Sequence, residues 1–403
     1  MKSAAWEIAA GVACGLSLPL FADLALALVG NAVAALRKSR VSEADGRWDG
    51  VLGVVIPAHN EERMIAQTVA SVRAAAESAA ASLESSRARI VVVAHNCVDG
   101  TAAAARRAGA QVIEVSDDGR DGKSAALRAG FSAAAGCAAF AVVDADSSVS
   151  LGFVSGMKRA LASGAEAAQC RYEQVAGDGE PVNAGTRLRM LAFRGMNVVR
   201  GRGRAALGFS SGVFGNGFVL SAALLDRVPY AANSIAEDAE HHAEMVARGV
   251  RVRWVEDARV TAPLARTQAA HDSQEARWEG GRLRVGLHLA PRLAWAALRG
   301  NLRAGEALLA VLSPPFSLGV ALALVSVALP VEWSRVYGAA CLLVSAFYLA
   351  AAAQTGDDPA REWSALAAAP AFVARKLMLL PKIAMQARGR AAWVRTGRGE
   401  DEC

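Results

Sequence analysis

Cysteines at metal-binding or redox spacing are absent from this sequence. Its six cysteines stand far apart, at positions 14, 97, 137, 170, 341 and 403, and no CxxC pair occurs. Structural zinc sites need clustered thiolates or imidazoles, and disulfide-stapled domains need many cysteines in a short chain. The spacing therefore predicts no zinc site and indicates reduced thiols in a cytosolic environment.

A basic stripe interleaved with aromatic residues, which nucleic-acid-binding proteins carry, is also missing. The net charge is +6, but the basic residues gather beside apolar segments. They are Arg37, Lys38 and Arg40 in the first segment and Arg375, Lys376, Lys382, Arg388, Arg390, Arg395 and Arg398 in the last. This clustering is typical of contact with anionic lipid headgroups on the cytoplasmic side, so we expect no nucleic-acid partner.

Charged residues are too few for an ordinary soluble enzyme and too many for a pure transporter. They make up 20% of the 403 residues, whereas hydrophobic residues make up 53%. Residues 8–36 form an apolar stretch that only Asp23 interrupts, longer than the core of a signal peptide and followed by basic residues. We expect residues 1–40 to be a retained transmembrane anchor with its N-terminus outside.

Two further apolar stretches, residues 315–331 and 336–354, predict an antiparallel transmembrane pair within residues 308–355. Residues 363–380 are also apolar but include Pro370, Arg375 and Lys376. This composition favours a helix lying in the membrane interface, with a fourth span as the alternative. Residues 360–403 are therefore interpreted as an interfacial helix and a basic cytoplasmic tail.

Residues 50–300 have the pattern of a soluble α/β domain. Short β-rich runs at 51–56, 90–93, 111–115 and 140–143 alternate with alanine-rich helical stretches. Such alternation predicts repeated βα units around a mainly parallel sheet. Ligands of such sheets bind beyond the carboxyl ends of the strands, and we expect this domain to lie in the cytoplasm.

An acidic pair, Asp144 and Asp146, directly follows the apolar run 139–143. Two carboxylates at a strand end can hold a hard divalent cation that is itself bound to a diphosphate. A solvated acidic turn would have the same sequence, so this motif by itself leaves both interpretations open.

A second acidic pair, Glu237 and Asp238, opens a predicted helix that continues to Arg248. The helix dipole favours acidic residues in a first turn. The alternative is that Asp238 is a general base, which takes the proton from an acceptor hydroxyl. His241 and His242 follow on the same helix, and core or solvated positions are the default for them.

A third motif is Gln274-Glu275-Ala276-Arg277-Trp278. In a helix, Gln274 and Trp278 share one face. Arg277 can grip a diphosphate with two hydrogen bonds, and Trp278 can stack on a sugar ring. An amphipathic helix that leads to the membrane is the alternative interpretation.

The three motifs follow a predicted strand and loop of sequence Val54-Val55-Ile56-Pro57-Ala58-His59-Asn60-Glu61-Glu62. In this order they resemble glycosyltransferase family 2, the inverting group that includes cellulose, chitin and hyaluronan synthases and ceramide glucosyltransferase. The resemblance covers residues 50 to about 290. It implies a GT-A type, Rossmann-like sheet with flanking helices, a UDP-sugar donor and a requirement for Mg²⁺ or Mn²⁺.

The resemblance also implies site residues, position by position. Asp238 would be the catalytic base, and Asp144 and Asp146 would hold the metal. The implied donor-binding residues are Pro57, Ala58, Asn60, Glu61, His95, Asp99, Lys123, Asp144 and Arg277. The implied acceptor-binding residues are Gly215, Asn216, Gly217, Gln274 and Trp278.

Two positions depart from the family pattern. Many relatives have an acidic residue after the second strand to bind uracil, and here His95 stands at or beside that position. Asp99 matches a later acidic position, so the choice of base stays open. Ala236 stands where synthases of the cellulose type have threonine.

The implied reaction is sugar transfer to a growing polysaccharide or lipid-linked acceptor at the cytoplasmic face of the inner, or plasma, membrane. This would serve exopolysaccharide or cell-envelope glycan synthesis. Three predicted spans are few for a secretion channel, although an oligomer or export partner could complete one. A glycolipid synthase of the ceramide glucosyltransferase type is therefore the alternative. A catalytically silent membrane scaffold is a third possibility, against which the full set of motifs argues.

Overall fold

A computed structural model describes residues 2–37, 48–82, 88–118, 122–177, 181–232, 234, 236–265 and 267–388. Of the basic residues assigned to lipid contact, Lys38, Arg40, Arg390, Arg395 and Arg398 lie outside the described residues. The chain divides into two compact units. One consists of Met1–Lys38, Pro181–Phe209 and Glu275–Gly389, and the other of Ser39–Glu180, Ser210–Gln274 and Arg390–Cys403.

The described residues form strands and helices that we number separately in chain order. The strands are β1 (Leu52–Ala58), β2 (Ala88–His95), β3 (Gln111–Val115), β4 (Ala139–Val142), β5 (Ser148–Val149), β6 (Ala167–Val175), β7 (Phe218–Ser221) and β8 (Val252–Pro263). The helices are α1 (Lys2–Arg37), α2 (Ile65–Ser82), α3 (Thr101–Arg107), α4 (Gly122–Ala133), α5 (Phe153–Ala162), α6 (Ala184–Arg194), α7 (Arg200–Ala206), α8 (Ala222–Arg227), α9 (Glu237–Ala247), α10 (Gln268–Leu298), α11 (Leu302–Leu312), α12 (Phe316–Ala328), α13 (Glu332–Gln354), α14 (Pro359–Ala365), α15 (Ala369–Met378) and α16 (Leu380–Arg388). A π-helical turn, Gly195–Val199, joins α6 to α7.

The second unit is built on a sheet of eight strands in the order β3-β2-β1-β4-β7-β6-β8-β5. The strands β1 to β4 pair in parallel, and β7 enters antiparallel between β4 and β6. Every residue of β1 is buried, as expected of a central strand covered on both faces. The predicted α/β fold with a GT-A type sheet is confirmed, although beyond β4 the sheet is mixed.

The strand order creates a switch point beside β1. The chain places β2 and β3 on one side of β1 and β4 on the other. Connections that leave in opposite directions open a crevice beyond the carboxyl ends of the strands, where ligands of open α/β sheets bind. The core below this edge packs Val55, Val91, Phe140 and Phe218 against Leu127 of α4.

The first unit contains the apolar helices. Among the described residues, two helices are long and apolar enough to cross a membrane, Ala4–Arg37 and Glu332–Gln354. Two bent pairs would each qualify as one span. They are Leu302–Leu312 with Phe316–Ala328, bent by 82°, and Pro359–Met378 with Leu380–Ala387, bent by 40°.

The predicted span at 315–331 differs from the structure. Helix α12 has 13 residues, about 20 Å of helix, whereas the hydrocarbon core of a bilayer is about 30 Å thick. It therefore reaches span length only together with α11. Residues 363–380 are divided among α14, a 3₁₀ turn, α15 and the first residue of α16. Their length and composition are compatible with an interfacial segment or a bent span.

Asp23, which interrupts the apolar sequence of α1, forms ion pairs with arginines of the same unit. Asp23 is completely buried, and both Nε and an Nη of Arg204 donate to its Oδ1 at 3.0 and 2.6 Å. Arg200 forms an ion pair with the same carboxylate. Arg204 also pairs with Glu306 of α11 at 2.6 Å. Because a buried charge needs a partner, these contacts explain how an aspartate is accommodated in an apolar helix.

Candidate active site

Asp144 and Asp146 lie on the turn that follows β4. Asn216 accepts a hydrogen bond from the Asp144 amide at 3.1 Å and donates to Ser147 Oγ at 2.8 Å. Ser147 Oγ in turn donates to Asp146 at 3.1 Å. Asn216 is completely buried, so its side chain fixes this acidic turn from inside the sheet unit. The acceptor contact predicted for Gly215, Asn216 and Gly217 stays a prediction.

Lys123, the second residue of α4, contacts both acidic motifs. Its Nζ lies 2.5 Å from Asp144 Oδ1 and 4.0 Å from Glu237 Oε1, and it donates to the Gly215 carbonyl at 2.7 Å. Burial alone would lower the pKa of Lys123, but Asp144 and Glu237 outweigh burial and raise that pKa. Lys123 therefore remains a cation that joins three segments distant in sequence.

Glu237 and Asp238 are the first two residues of α9 but differ in environment. Burial raises the pKa of Glu237 to about 8, the charge of Asp238 adds to the effect, and Lys123 opposes it. Asp238 is less buried, and its Oδ1 accepts from the Ala239 amide at 2.8 Å. Gly215 has φ +75°, and a Cβ there would lie 3.2 Å from Asp238 Oδ2. Glycine at 215 thus allows a close approach to this carboxylate.

The loops after β1 and β2 are tied together at the neighbouring strand ends. The residues of these segments predicted to bind the nucleoside are Pro57, Ala58, Asn60, Glu61, His95 and Asp99. The Glu61 amide donates to Thr101 Oγ1 at 2.7 Å, and the Thr101 amide donates to Asp99 Oδ1 at 3.0 Å. Asn60 takes a left-handed conformation with φ +55°. The structure thus brings these residues to one edge of the sheet.

His95 stands where many family members have an acidic residue. In the structure it contacts Asp117, a partner that the sequence did not indicate. It is 1% exposed, and its Nε2 lies 2.8 Å from Oδ2 of Asp117, which follows β3. Asn96 Nδ2 donates to the other oxygen of Asp117 at 3.0 Å. A carboxylate therefore stands at this edge, supplied by the loop after the third strand.

The motif Gln274 to Trp278 lies near the beginning of α10, where the chain passes from one unit to the other. Gln274 is the last residue of its segment in the sheet unit, and its buried Oε1 has no hydrogen-bond partner among the described residues. Arg277 and Trp278 belong to the helical unit, where burial lowers the pKa of Arg277. Trp278 is 37% exposed, and its ring centroid lies 6.1 Å from that of Phe193. The roles of these three residues stay predictions.

Two tyrosines near the acidic groups were missed by sequence reasoning. Burial raises the pKa of Tyr172 well above its usual value, and the charges of Asp144 and Asp146 add to this. Burial likewise raises the pKa of Tyr230, with Glu237 and Asp238 contributing. Neither tyrosine belongs to a motif, and Tyr172 lies within a mostly buried strand, so only the folded structure identifies these neutral phenols beside the acidic pairs.

Two family models match the chain. Glycosyl transferase family 2 matches residues 53–214, and glycosyl transferase family group 2 matches residues 139–354, more than half of the chain. No curated protein sequence matches it.

Several solved structures are similar to this chain. The mannosyltransferase PcManGT from Pyrobaculum calidifontis, solved with GDP-Man and Mn²⁺, is 17% identical with a TM-score of 0.53, and the match covers 96% of this chain and 98% of that one. Glucosyl-3-phosphoglycerate synthase from Mycobacterium tuberculosis, solved with Mn²⁺ and UDP, is 18% identical with a TM-score of 0.39. That match covers 59% of this chain and 80% of the synthase chain. At this identity, the similarity to PcManGT shows the fold.

Proposed function

This chain belongs to glycosyltransferase family 2, and from that membership we propose that it transfers a sugar, with inversion, from a UDP-sugar to an acceptor at the membrane. One observation carries the proposal. Two acidic pairs far apart in sequence meet around Lys123, whose Nζ lies 2.5 Å from Asp144 and 4.0 Å from Glu237. A cation among several carboxylates at the switch point of the sheet suits a charged nucleotide ligand.

The proposed chemistry is a direct displacement. Asp238 takes the proton from an acceptor hydroxyl, whose oxygen bonds to the anomeric carbon of the sugar. The bond between that carbon and the donor diphosphate breaks as the new bond forms. Attack from the face opposite the leaving group inverts the anomeric configuration. Glu237, with its pKa raised to about 8 by burial, holds a proton at neutral pH and is the less suitable base.

Asp144 and Asp146 would hold the divalent metal. No group of three or more His, Cys, Asp or Glu side chains is placed for a metal ion among the described residues, so the donor diphosphate and water would supply further ligands, as is usual for Mg²⁺. Burial raises the pKa of Asp144, and Asp146 adds to this, so a cation between these carboxylates would relieve their repulsion. When bound, Mg²⁺ or Mn²⁺ offsets charge on the leaving diphosphate.

The number of spans bears on the acceptor. Two helices qualify as spans, or up to four if each bent pair is one span, in the part of the chain that the structure describes. This count favours a membrane-lipid acceptor over a synthase that exports its own polymer without a partner. A polysaccharide acceptor with an oligomer or export partner remains the competing proposal.

The test is transfer by the purified full chain in nanodiscs. We would supply radiolabelled nucleotide sugars with membrane lipids or oligosaccharides, with and without excess EDTA. We expect turnover of one donor, its loss in EDTA, and about a 10²-fold lower rate for Asp146→Asn, because an electrostatic stabiliser is removed. The matched control is Asp257→Asn, at a side chain 73% exposed, which should transfer normally.

Two outcomes would overturn parts of this proposal. Undiminished turnover in EDTA would remove the metal from the reaction. A folded protein that releases sugar from no donor would favour the silent scaffold.

A further inference from the structure

The carboxyl ends of three adjacent parallel strands carry related polar segments. Strand β1 is followed by His59 and Asn60, and β2 ends in His95 followed by Asn96. Both asparagines are left-handed, with φ of +55° and +50°. His59 Nδ1 lies 2.8 Å from the His95 carbonyl, so the two loop beginnings are joined directly.

Asp117, after β3, is held in this edge from two sides. Its Oδ2 lies 2.8 Å from His95 Nε2, and its Oδ1 accepts from Asn96 Nδ2 at 3.0 Å. The Asp117 amide donates back to Asn96 Oδ1 at 3.0 Å. These contacts with His95 and Asn96 restrict the Asp117 carboxylate to one orientation. The His95 side chain is 1% exposed, whereas 33% of the Asp117 side chain is exposed, so the carboxylate is the outer member of the pair.

We propose that Asp117, positioned by His95 and Asn96, reads the base of the nucleotide donor. This inference rests on the proposed function. A carboxylate is an acceptor only, so a carboxylate placed against the ring nitrogen of the pairing edge requires an N–H at that nitrogen. Uracil presents N3–H and guanine presents N1–H. Cytosine and adenine place a lone pair at the corresponding ring nitrogen, which a carboxylate repels.

The location suits the base end of an extended nucleotide. The diphosphate end is assigned to Lys123 and to Asp144, which follows β4, and Asp117 follows β3. The strands between them are β1 and β2, so the distance is three strand spacings, about 14 Å. An acidic base-reading residue is thereby provided by the loop after β3, although the position after β2 holds a histidine.

The experiment measures the affinity of the full chain in nanodiscs for UDP, GDP, CDP and ADP, each with Mn²⁺. We expect UDP or GDP to bind at least about tenfold more tightly than CDP and ADP, and the two arms identify which base is preferred. Asp117→Asn should weaken the preferred nucleotide about ten- to hundredfold, as expected for loss of a hydrogen bond to a charged group. It should also raise the relative affinity for CDP, because an amide N–H can donate to cytosine N3.

The matched control is Asp118→Asn, at the neighbouring exposed aspartate, which should keep the wild-type order of affinities. Asp117→Glu keeps the charge but displaces the carboxylate, and it should weaken the preferred nucleotide even if the Asn variant folds poorly. An unchanged order of affinities in a folded Asp117 variant that still binds nucleotide would overturn this inference alone. Failure of the folded wild type to bind any of the four would overturn the proposed function and this inference together.

Discussion

Glu237 and Asp238, the adjacent carboxyl groups at the start of α9, differ in burial: Glu237 is buried and Asp238 is partly exposed. Burial and the charge of Asp238 raise the pKa of Glu237 to about 8, so at neutral pH Glu237 is mostly uncharged. A residue that already holds a proton cannot take one from an acceptor hydroxyl. The raised pKa makes Glu237 the weaker candidate and leaves Asp238, which the family resemblance implies, as the proposed base.

Asp238→Asn should abolish most transfer without weakening nucleotide binding. General-base assistance contributes about 10²- to 10⁴-fold in rate, or roughly 3 to 5 kcal/mol of barrier. Transfer rate, nucleoside-diphosphate affinity and melting temperature would be measured in nanodiscs. Glu237→Gln, which imitates the neutral carboxyl, is the comparison and should lose much less. If Asp238→Asn transferred normally but melted earlier, Asp238 would be a first-turn residue that stabilises the helix through its dipole, by about 1 kcal/mol.

The burial of His241 predicts that the protein becomes less stable as the pH falls. It is 2% exposed, and its ring lies 4.5 Å from that of Tyr230. Burial, together with the charge of Arg248, lowers the pKa of His241 from 6.5 to about 4. Between these values the unfolded chain binds a proton that the folded chain does not. The neutral, buried His241 therefore stabilises the fold fully above pH 6.5. As the pH falls to about 4, the free energy of unfolding decreases by about 3 kcal/mol.

The measurement is melting temperature against pH for the wild type and for His241→Phe, which keeps an aromatic ring beside Tyr230. The variant should show a flatter profile between pH 6.5 and 4. Parallel profiles for the two proteins would show that His241 does not titrate differently on folding.

At the scale of elements, α1 depends on close approach as well as on its hydrophobicity. A Cβ on Gly30 would overlap the carbonyl of Gly203 in α7, whereas a Cβ on Gly11 or Gly15 of the same helix would meet nothing within 4 Å. Asn31 Nδ2 donates to the Val199 carbonyl at 2.6 Å beside this contact. Position 30 of the helix therefore tolerates only glycine, whereas positions 11 and 15 have room for a methyl group.

Gly30→Ala should lower stability, and Gly11→Ala should not. Inserting a methyl group into a well-packed contact costs about 1 to 3 kcal/mol. Thermal unfolding in one detergent would compare the two variants, which make the same chemical change in the same helix. Equal melting temperatures would show that α1 and α7 can separate without loss.

At the scale of the whole molecule, the motif-bearing region is predicted to face the cytoplasm, where nucleotide sugars are available. In a background without native cysteines, Asp257→Cys, at an exposed side chain of the sheet unit, should resist a membrane-impermeant maleimide applied to intact cells. Ala5→Cys, before the apolar part of α1, should react. Strong labelling at 257 and none at 5 would reverse the proposed topology.

Sequence alone determined the features that depend on local patterns. The runs at 51–56, 90–93, 111–115 and 140–143 correspond to β1 to β4 within a few residues. Buried strands are apolar runs, and the edge strand β3 keeps β-branched residues between its exposed Gln111 and Glu114. The ordered motifs identified the family, as the family models confirm. Long apolar stretches indicated α1 and α13, since composition and length decide whether a helix can span a membrane.

Tertiary structure alone decided which distant residues meet. The antiparallel entry of β7 between β4 and β6 depends on pairing between strands far apart in sequence. The partners of Asp23 and of His95 lie on other elements, at Arg204 and Asp117. Sequence shows a buried charge or an unusual histidine, but its partner depends on long-range packing, which no local periodicity encodes. The meeting of both acidic pairs at Lys123 has the same origin.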